Sequence, residues 1–248
     1  MSDTKVPDRA ARLRELHRPG DPLLLPNVWD AGSAKVVQEV GFPALATASA
    51  SVADALGYPD HEGAPVDEML AAAARVVRVA TVPVTVDAEA GYGLPPAELV
   101  ERLLAIGAAG CNLEDTYGGA LAEPAKQAEF LAAVREAAGD ALVINARVDT
   151  FIAGVPDPVD AAIERGRLYL EAGADCVYPI TAPMDAVPAL VKGLPGPVNA
   201  NNMPGTSLTE LAAAGVARVS YGPVPYLHAL EALKQFATRV RAMEDPHA

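Results

Sequence analysis

The chain has 248 residues, 51% of them hydrophobic, a share that supports a buried core and excludes a disordered polymer. That length suits one large domain, taken as residues 1–248, and α/β barrels commonly reach it. A formal net charge of −13 argues against nucleic acid or an anionic membrane surface as partner.

Residues 1–20 are charged and hold no apolar signal core, and no apolar run is long enough to span a bilayer. The expectation is a cytoplasmic, reducing setting. Cys111 and Cys176 lie in apolar strand-like runs and read as small buried hydrophobes, not as a disulfide or a nucleophile.

Residues 8–17 read as a short charged helix, which Pro19-Gly20-Asp21-Pro22 breaks. A first strand over 23–28 ends at Trp29-Asp30, with Asp30 capping a helix over 33–40 that Gly41 closes. A second strand over 44–48 leads into the small polar run Ser49-Ala50-Ser51 and then a longer loop, Gly57-Tyr58-Pro59-Asp60-His61-Glu62-Gly63. Helix resumes over 66–80. The stretch from Val82 to Gly93 reads as a buried strand that ends in Asp87 and Glu89 and breaks at glycines. A helix over 96–106 follows, opened by Pro95 and Pro96. The alternation then continues with strands over 111–115, 142–149, 176–180, 197–202 and 216–221. Between and after them come helices over 124–138, 158–172, 184–191, 208–213 and 224–243, the last long and apolar on more than one side.

Helix-to-strand joints repeat around Gly41, Gly107 and Gly173 at equal intervals, and around Gly215 after a shorter one. Eight strands alternating with helices predict a (β/α)₈ TIM barrel with a short N-terminal helix. An open doubly wound sheet would call for a glycine-rich dinucleotide fingerprint after the first strand, and none is present.

Such barrels place their chemistry at the C-terminal strand ends. Here those ends carry Trp29, Ser49, Asp87 and Glu89, Glu114 and Asp115, Asn145 and Arg147, Tyr178, Asn201, and Ser220-Tyr221. Asp87 and Glu89, two apart on a strand, point the same way, and with Glu114 they form an oxygen-rich site for a hard cation such as Mg²⁺. Arg147 reads as the one cation of the ring, suited to a bidentate grip on a substrate carboxylate or phosphonate. A metal and an arginine around a small cavity fit a 2-oxo or enol acid.

The pieces Gly57-Tyr58-Pro59-Asp60, Val86-Asp87-Ala88-Glu89-Ala90-Gly91-Tyr92-Gly93, Asn112-Leu113-Glu114-Asp115, Asn145-Ala146-Arg147-Val148-Asp149 and Glu171-Ala172-Gly173-Ala174-Asp175 come in an order that resembles the isocitrate lyase / phosphoenolpyruvate mutase superfamily over nearly the full length. The resemblance implies Mg²⁺, with Mn²⁺ as a substitute, held by Asp87 directly and by Glu89, Glu114 and Asp60 through water. It implies Arg147 on a substrate carboxylate and the backbone N–H groups of Ala48, Ser49 and Ala50 around the anionic end. Asn201 would line the far side. It also implies a homodimer or homotetramer that exchanges a C-terminal helix, a role open to 224–243.

Relatives with lyase activity carry a Lys-[Lys/Arg]-Cys-Gly-His loop shortly after the position of Glu114. Here Asp115-Thr116-Tyr117-Gly118-Gly119-Ala120-Leu121-Ala122-Glu123 has no cysteine, histidine or lysine, so the usual acid is absent. The Lys- and Asn-containing loop of the mutases is absent too. Tyr178, Tyr117 and His61 are the substitute acid/base candidates in that order, with Asn145 and Asp149 expected to orient Arg147. His17, His228 and His247 are given no chemistry, and Trp29 is a candidate pocket wall. Three functions follow as expectations. The first is a Mg²⁺-dependent lyase or decarboxylase on a small 2-oxo or 2-hydroxy (di)carboxylate, working through an enolate. The second is a phosphonomutase or phosphonopyruvate hydrolase, and the third a 2-oxo acid binding relative with little catalysis.

Overall fold

The structure is a computed structural model that describes residues 6–246; His247 lies outside them. In chain order the elements are α1 (Val6–Glu15), β1 (Leu23–Leu25), β2 (Asn27–Val28), α2 (Ala31–Glu39), β3 (Leu45–Thr47), α3 (Ser49–Leu56) and α4 (Val66–Val79). Then come β4 (Val84–Asp87), α5 (Pro96–Ala105), β5 (Gly110–Glu114), β6 (Thr116–Tyr117), β7 (Ala120–Leu121), α6 (Pro124–Ala138) and β8 (Val143–Val148). The last are α7 (Pro158–Glu171), β9 (Cys176–Pro179), α8 (Val187–Gly193), β10 (Asn199–Asn201), α9 (Leu208–Ala213), β11 (Arg218–Ser220) and α10 (Val224–Arg241).

The parallel strands run in the order β2-β3-β4-β5-β8-β9 and β1-β11-β10. Val177 of β9 bridges Val198 in parallel just before β10. β1 and β2 are one strand interrupted at Pro26, which has no N–H to give to a ladder. The two sheets therefore meet at both seams and form the expected barrel.

Along β8, Ile144, Ala146 and Val148 pack outward with Leu99, Leu103 and Leu131 of the helices. By strand alternation Asn145 and Arg147 face the interior. The lower end is filled by α1, whose Leu13 packs against Leu23, Leu25, Ala44, Ala46, Ala109 and Val143. Gly110 makes room for it: a Cβ there would stand 2.7 Å from the Val143 carbonyl and 3.0 Å from Leu13 Cδ2. Asp175 ties the plug down, taking Arg14 Nε on Oδ1 at 2.7 Å and the Ile144 amide on Oδ2 at 2.8 Å, with Arg135 Nη2 beside it.

Two segments differ from the sequence reading. The polar run at Ser49 begins a helix: Ser49 and Ser51 turn inward and are buried, and Gly57 closes α3 with φ 86°. The stretch after Glu114 is a hairpin, with Thr116 opposite Leu121 and Tyr117 opposite Ala120. Gly118 and Gly119 have φ 55° and 82°, the two left-handed positions of the tight turn that matches strand twist.

Candidate active site at the C-terminal rim

Asp87 ends β4 beside the start of α3. Its Oδ2 accepts both the Ser49 amide at 3.0 Å and Ser49 Oγ at 2.9 Å, and its own amide donates to Thr47 Oγ1 at 2.9 Å. The Ser49 amide, expected to cradle the substrate, is therefore given to Asp87, because α3 starts at that residue. Both hydrogen bonds to this carboxylate among the described residues fall on Oδ2, which leaves Oδ1 to a cation.

Glu89 is 2% exposed and has φ 48°, a left-handed conformation that costs a non-glycine residue energy. Its Oε2 accepts the Glu62 amide, and Glu62 Oε1 accepts the Tyr92 amide. His61, Glu62 and Tyr92 also have positive φ, at 63°, 57° and 57°. Two facing loops are thus pinned by carboxylate-to-amide bonds in strained backbone. Burial pushes the Glu89 carboxyl up to about 7, with Asp87 and Asp60 adding their repulsion against the Glu62 amide.

Arg147 lies between two acids. Its Nε and Nη2 hold Asp149 Oδ1 and Oδ2 at 2.7 and 2.8 Å, and its Nη1 meets Glu114 Oε2. Asp149 is fixed in turn by Asp115, whose Oδ1 accepts the Asp149 amide at 2.9 Å. Asp115 is fully buried, and its Oδ2 takes Arg165 Nη1 at 2.9 Å and the Tyr169 hydroxyl at 2.8 Å. Asp149 orients Arg147 as expected. Asn145 does not, because its Nδ2 bonds across to Oδ1 of its ladder partner Asn112 at 2.9 Å. Burial pushes Glu114 up to about 9 against the pull of Arg147.

A cavity of about 360 Å³ opens above these groups, lined by His61, Glu62, Glu114, Thr116, Gly118, Gly119, Arg147, Asp149 and Ile152. His61 is the one acid/base candidate on this lining. Tyr117 instead donates its hydroxyl to Gln127 Oε1 at 2.8 Å, and Gln127 Nε2 holds the Glu114 carbonyl at 3.0 Å. Tyr178 is 3% exposed inside the barrel, beside Asn201, and burial raises its pKa. Asn201 Oδ1 accepts the Thr181 amide at 2.9 Å. Trp29 lies outside this lining, edge-on to Tyr226 with ring centroids 5.2 Å apart. Asp30 is the expected cap, bonded to the Ser33 amide at 2.7 Å.

Arg147 is not the ring's single cation. Arg218 on β11, which the sequence reading passed over, is fully buried inside the barrel. Ala217-Arg218-Val219-Ser220 resembles a strand with a wet face, and only closure of the barrel turns that face inward.

The donor set suits a hard dication. Asp60 Oδ1 is buried without a hydrogen-bond partner, and burial and mutual repulsion raise Glu89 and Glu114. Among the described residues no three acids already form a ligand cage. Mg²⁺ does not require one, since it keeps several waters and takes one or two carboxylates directly.

A profile of the phosphoenolpyruvate phosphomutase family matches residues 13–241. A crystal structure from Burkholderia cenocepacia J2315, provisionally assigned as a phosphonomutase, is 42% identical, covers 93% of this chain and 99% of its own, and has a TM-score of 0.88. The 2-methylisocitrate lyase of Aeropyrum pernix is 33% identical over 178 residues, which is 67% of this chain and 56% of that protein. Oxaloacetate acetylhydrolase, solved with its product oxalate, is 25% identical with a TM-score of 0.84 over 94% of this chain and 86% of its own. The barrel, the acids at its rim and the match over nearly all of the chain make it an enzyme of the phosphoenolpyruvate phosphomutase family, in the isocitrate lyase/PEP mutase superfamily.

Proposed function

We propose that this protein is a Mg²⁺-dependent lyase or decarboxylase that breaks a C–C bond of a small 2-oxo or 2-hydroxy (di)carboxylate through an enolate. The observation that carries this reading is Arg147, which sits on the cavity lining with its side edge fixed by Asp149, Nη1 against Glu114, and one further N–H on each of Nη1 and Nη2 for a substrate carboxylate. Asp87 would hold the metal through Oδ1, with Glu89, Glu114 and Asp60 reached through water; Mn²⁺ would serve in its place. When bound, the ion supplies Lewis acidity to the substrate's oxo and carboxylate oxygens.

The chain's own residues do the rest. Ser49 keeps the Asp87 carboxylate aimed, and Asp149 keeps Arg147 in one rotamer, so the substrate is met by groups already in place. His61, at the mouth, is positioned to hand a proton to the enolate or to the water that does so. Ala48 and Ala50 flank the Ser49 contact and would shape the anionic end, with Tyr178 and Asn201 supporting it from inside the barrel.

The runner-up is phosphonate chemistry at a P–C bond, which the 42% identity to the Burkholderia structure favours. A phosphonate calls for more cationic donors than one guanidinium, and among the described lining residues Arg147 is the permanent cation. A 2-oxo acid binding role without catalysis is the third reading. The exposed apolar residues Leu227, Leu230, Leu233 and Val240 of α10 support a homodimer or homotetramer, and a cytoplasmic setting belongs to the same proposal.

The test follows pyruvate release from oxaloacetate, substituted malates and methylisocitrate, and pyruvate, phosphate and phosphoenolpyruvate formation from phosphonopyruvate, each with Mg²⁺, with EDTA, and with the metal but no protein. Turnover of a carbon substrate that EDTA stops, and that Asp87→Ala lowers by about a thousandfold or more, is the expected result. Turnover of phosphonopyruvate alone would overturn it in favour of the runner-up. Saturable binding of 2-oxo acids with no reaction would favour the third.

A further inference from the structure

Barrel interiors are normally filled by branched apolar side chains. Here the interior of the barrel holds Thr85, Asn112, Asn145, Asn199, Ser220 and Arg218, all buried. Arg218 is the only permanent charge among these six. Its Nη2 donates to Asn112 Oδ1 at 3.1 Å, its Nε reaches Ser220 Oγ at 3.4 Å, and its Nη1 has no partner. Among the described residues no carboxylate is in salt-bridge contact with it. Burying a cation in this way is unfavourable unless something else recovers the loss.

Its hydrogen-bond acceptors do not need it. Asn112 Oδ1 also accepts from Asn145 Nδ2 at 2.9 Å, and Ser220 Oγ also accepts from Asn199 Nδ2 at 3.1 Å. Both acceptors would stay satisfied without the guanidinium. The guanidinium is linked to the rim through Asn112, the ladder partner of Asp87, and the Asp87 charge is among those that act on it.

We infer that Arg218 is a positioning residue for the metal site: a fixed positive charge one side chain away from Asp87, through Asn112, that limits how tightly the rim acids hold a dication. The residue lowers the stability of the barrel and in return keeps the ion exchangeable. A buried unit charge repels a dication twice as strongly as a monocation at the same distance, with little screening from solvent. The inference rests on the metal reading proposed above and goes beyond it.

The test compares Arg218→Met, which keeps length and removes charge, with Arg218→Lys, which keeps charge. Mg²⁺ affinity is measured by calorimetry at pH 8.5, alongside the melting temperature of each metal-free protein. Arg218→Met is expected to bind Mg²⁺ about tenfold or more tightly and to melt no lower than the parent. Arg218→Lys should stay within about threefold of the parent's affinity. An unchanged or weaker affinity in Arg218→Met overturns the inference, and so does an equal change in both variants. If Arg218→Met does not fold, the claim that the residue lowers the stability of the barrel is refuted. Arg218→Gln, which drops the charge but keeps a donor for Asn112, then decides the metal arm by the same criterion. A parent that takes up no Mg²⁺ refutes the metal reading itself, whereas a parent that binds with a variant that does not differ refutes only the role of Arg218.

Discussion

The two ends of the barrel treat buried acids in opposite ways. At the floor, Asp175 has Arg14 and Arg135 against its carboxylate and a backbone amide besides, a set that matches its charge. At the rim, Arg147 pairs with Glu114 and Asp149, while Asp87 and Glu89 have no cation in contact among the described residues, and burial lifts Glu114 and Glu89 well above the usual carboxylate range. The floor is built for stability. The rim is left short of positive charge, which fits the metal reading proposed above.

The largest effect should come from the floor. Asp175→Leu leaves two arginines and the Ile144 amide without their acceptor, and should cost about 3–5 kcal/mol in chemical denaturation. Activity per folded molecule should be unchanged; a larger loss of activity than of stability would break the contrast. Next is His17, which donates Nδ1 to the Leu13 carbonyl at 2.8 Å and whose pKa is lowered to about 4, chiefly by burial and then by Arg218. The folded state then binds fewer protons than the unfolded state between about pH 6.5 and 4, so stability falls as pH drops through that window, by about 3 kcal/mol. His17→Gln should flatten this acid limb.

Glu114→Gln sharpens the comparison from the rim. The folded pKa of Glu114 lies above its unfolded value, so the metal-free protein binds extra protons when folded and loses stability as pH rises from about 5 to 9. The glutamine variant should escape that decline and gain roughly 2 kcal/mol at pH 8, while losing metal-dependent turnover. A destabilised variant would mean that the rim acids are paired like the floor acid. The smallest effect is Gly119→Ala in the hairpin. At φ 82° with open space around it, the added methyl should cost about 1 kcal/mol in thermal denaturation, through backbone strain alone.

Much of this was legible in the chain because acids at the ends of apolar strands have no place in a core. Asp87, Glu114 and Arg147 stood out for that reason. Helix α3 did not, since Ser49 and Ser51 look like loop residues until their burial is seen, although Gly57 was already the signal of a helix end. The hairpin went unread as well, although Gly118-Gly119 between short strand-like pairs is its signal. Arg218 and Asn145 were misjudged for one common reason. Alternation along a strand says which residues share a face, and only closure of the barrel decides whether a polar face meets solvent or lies inside.

The Gly118-Gly119 turn has one more consequence. Two residues without side chains bring no side-chain donor to the cavity they border. On the reading proposed above, the facial selectivity of enolate protonation then depends on which face His61 and the walls leave open to water. In deuterated solvent, a prochiral enolate released here would report that geometry in the handedness of the label it carries.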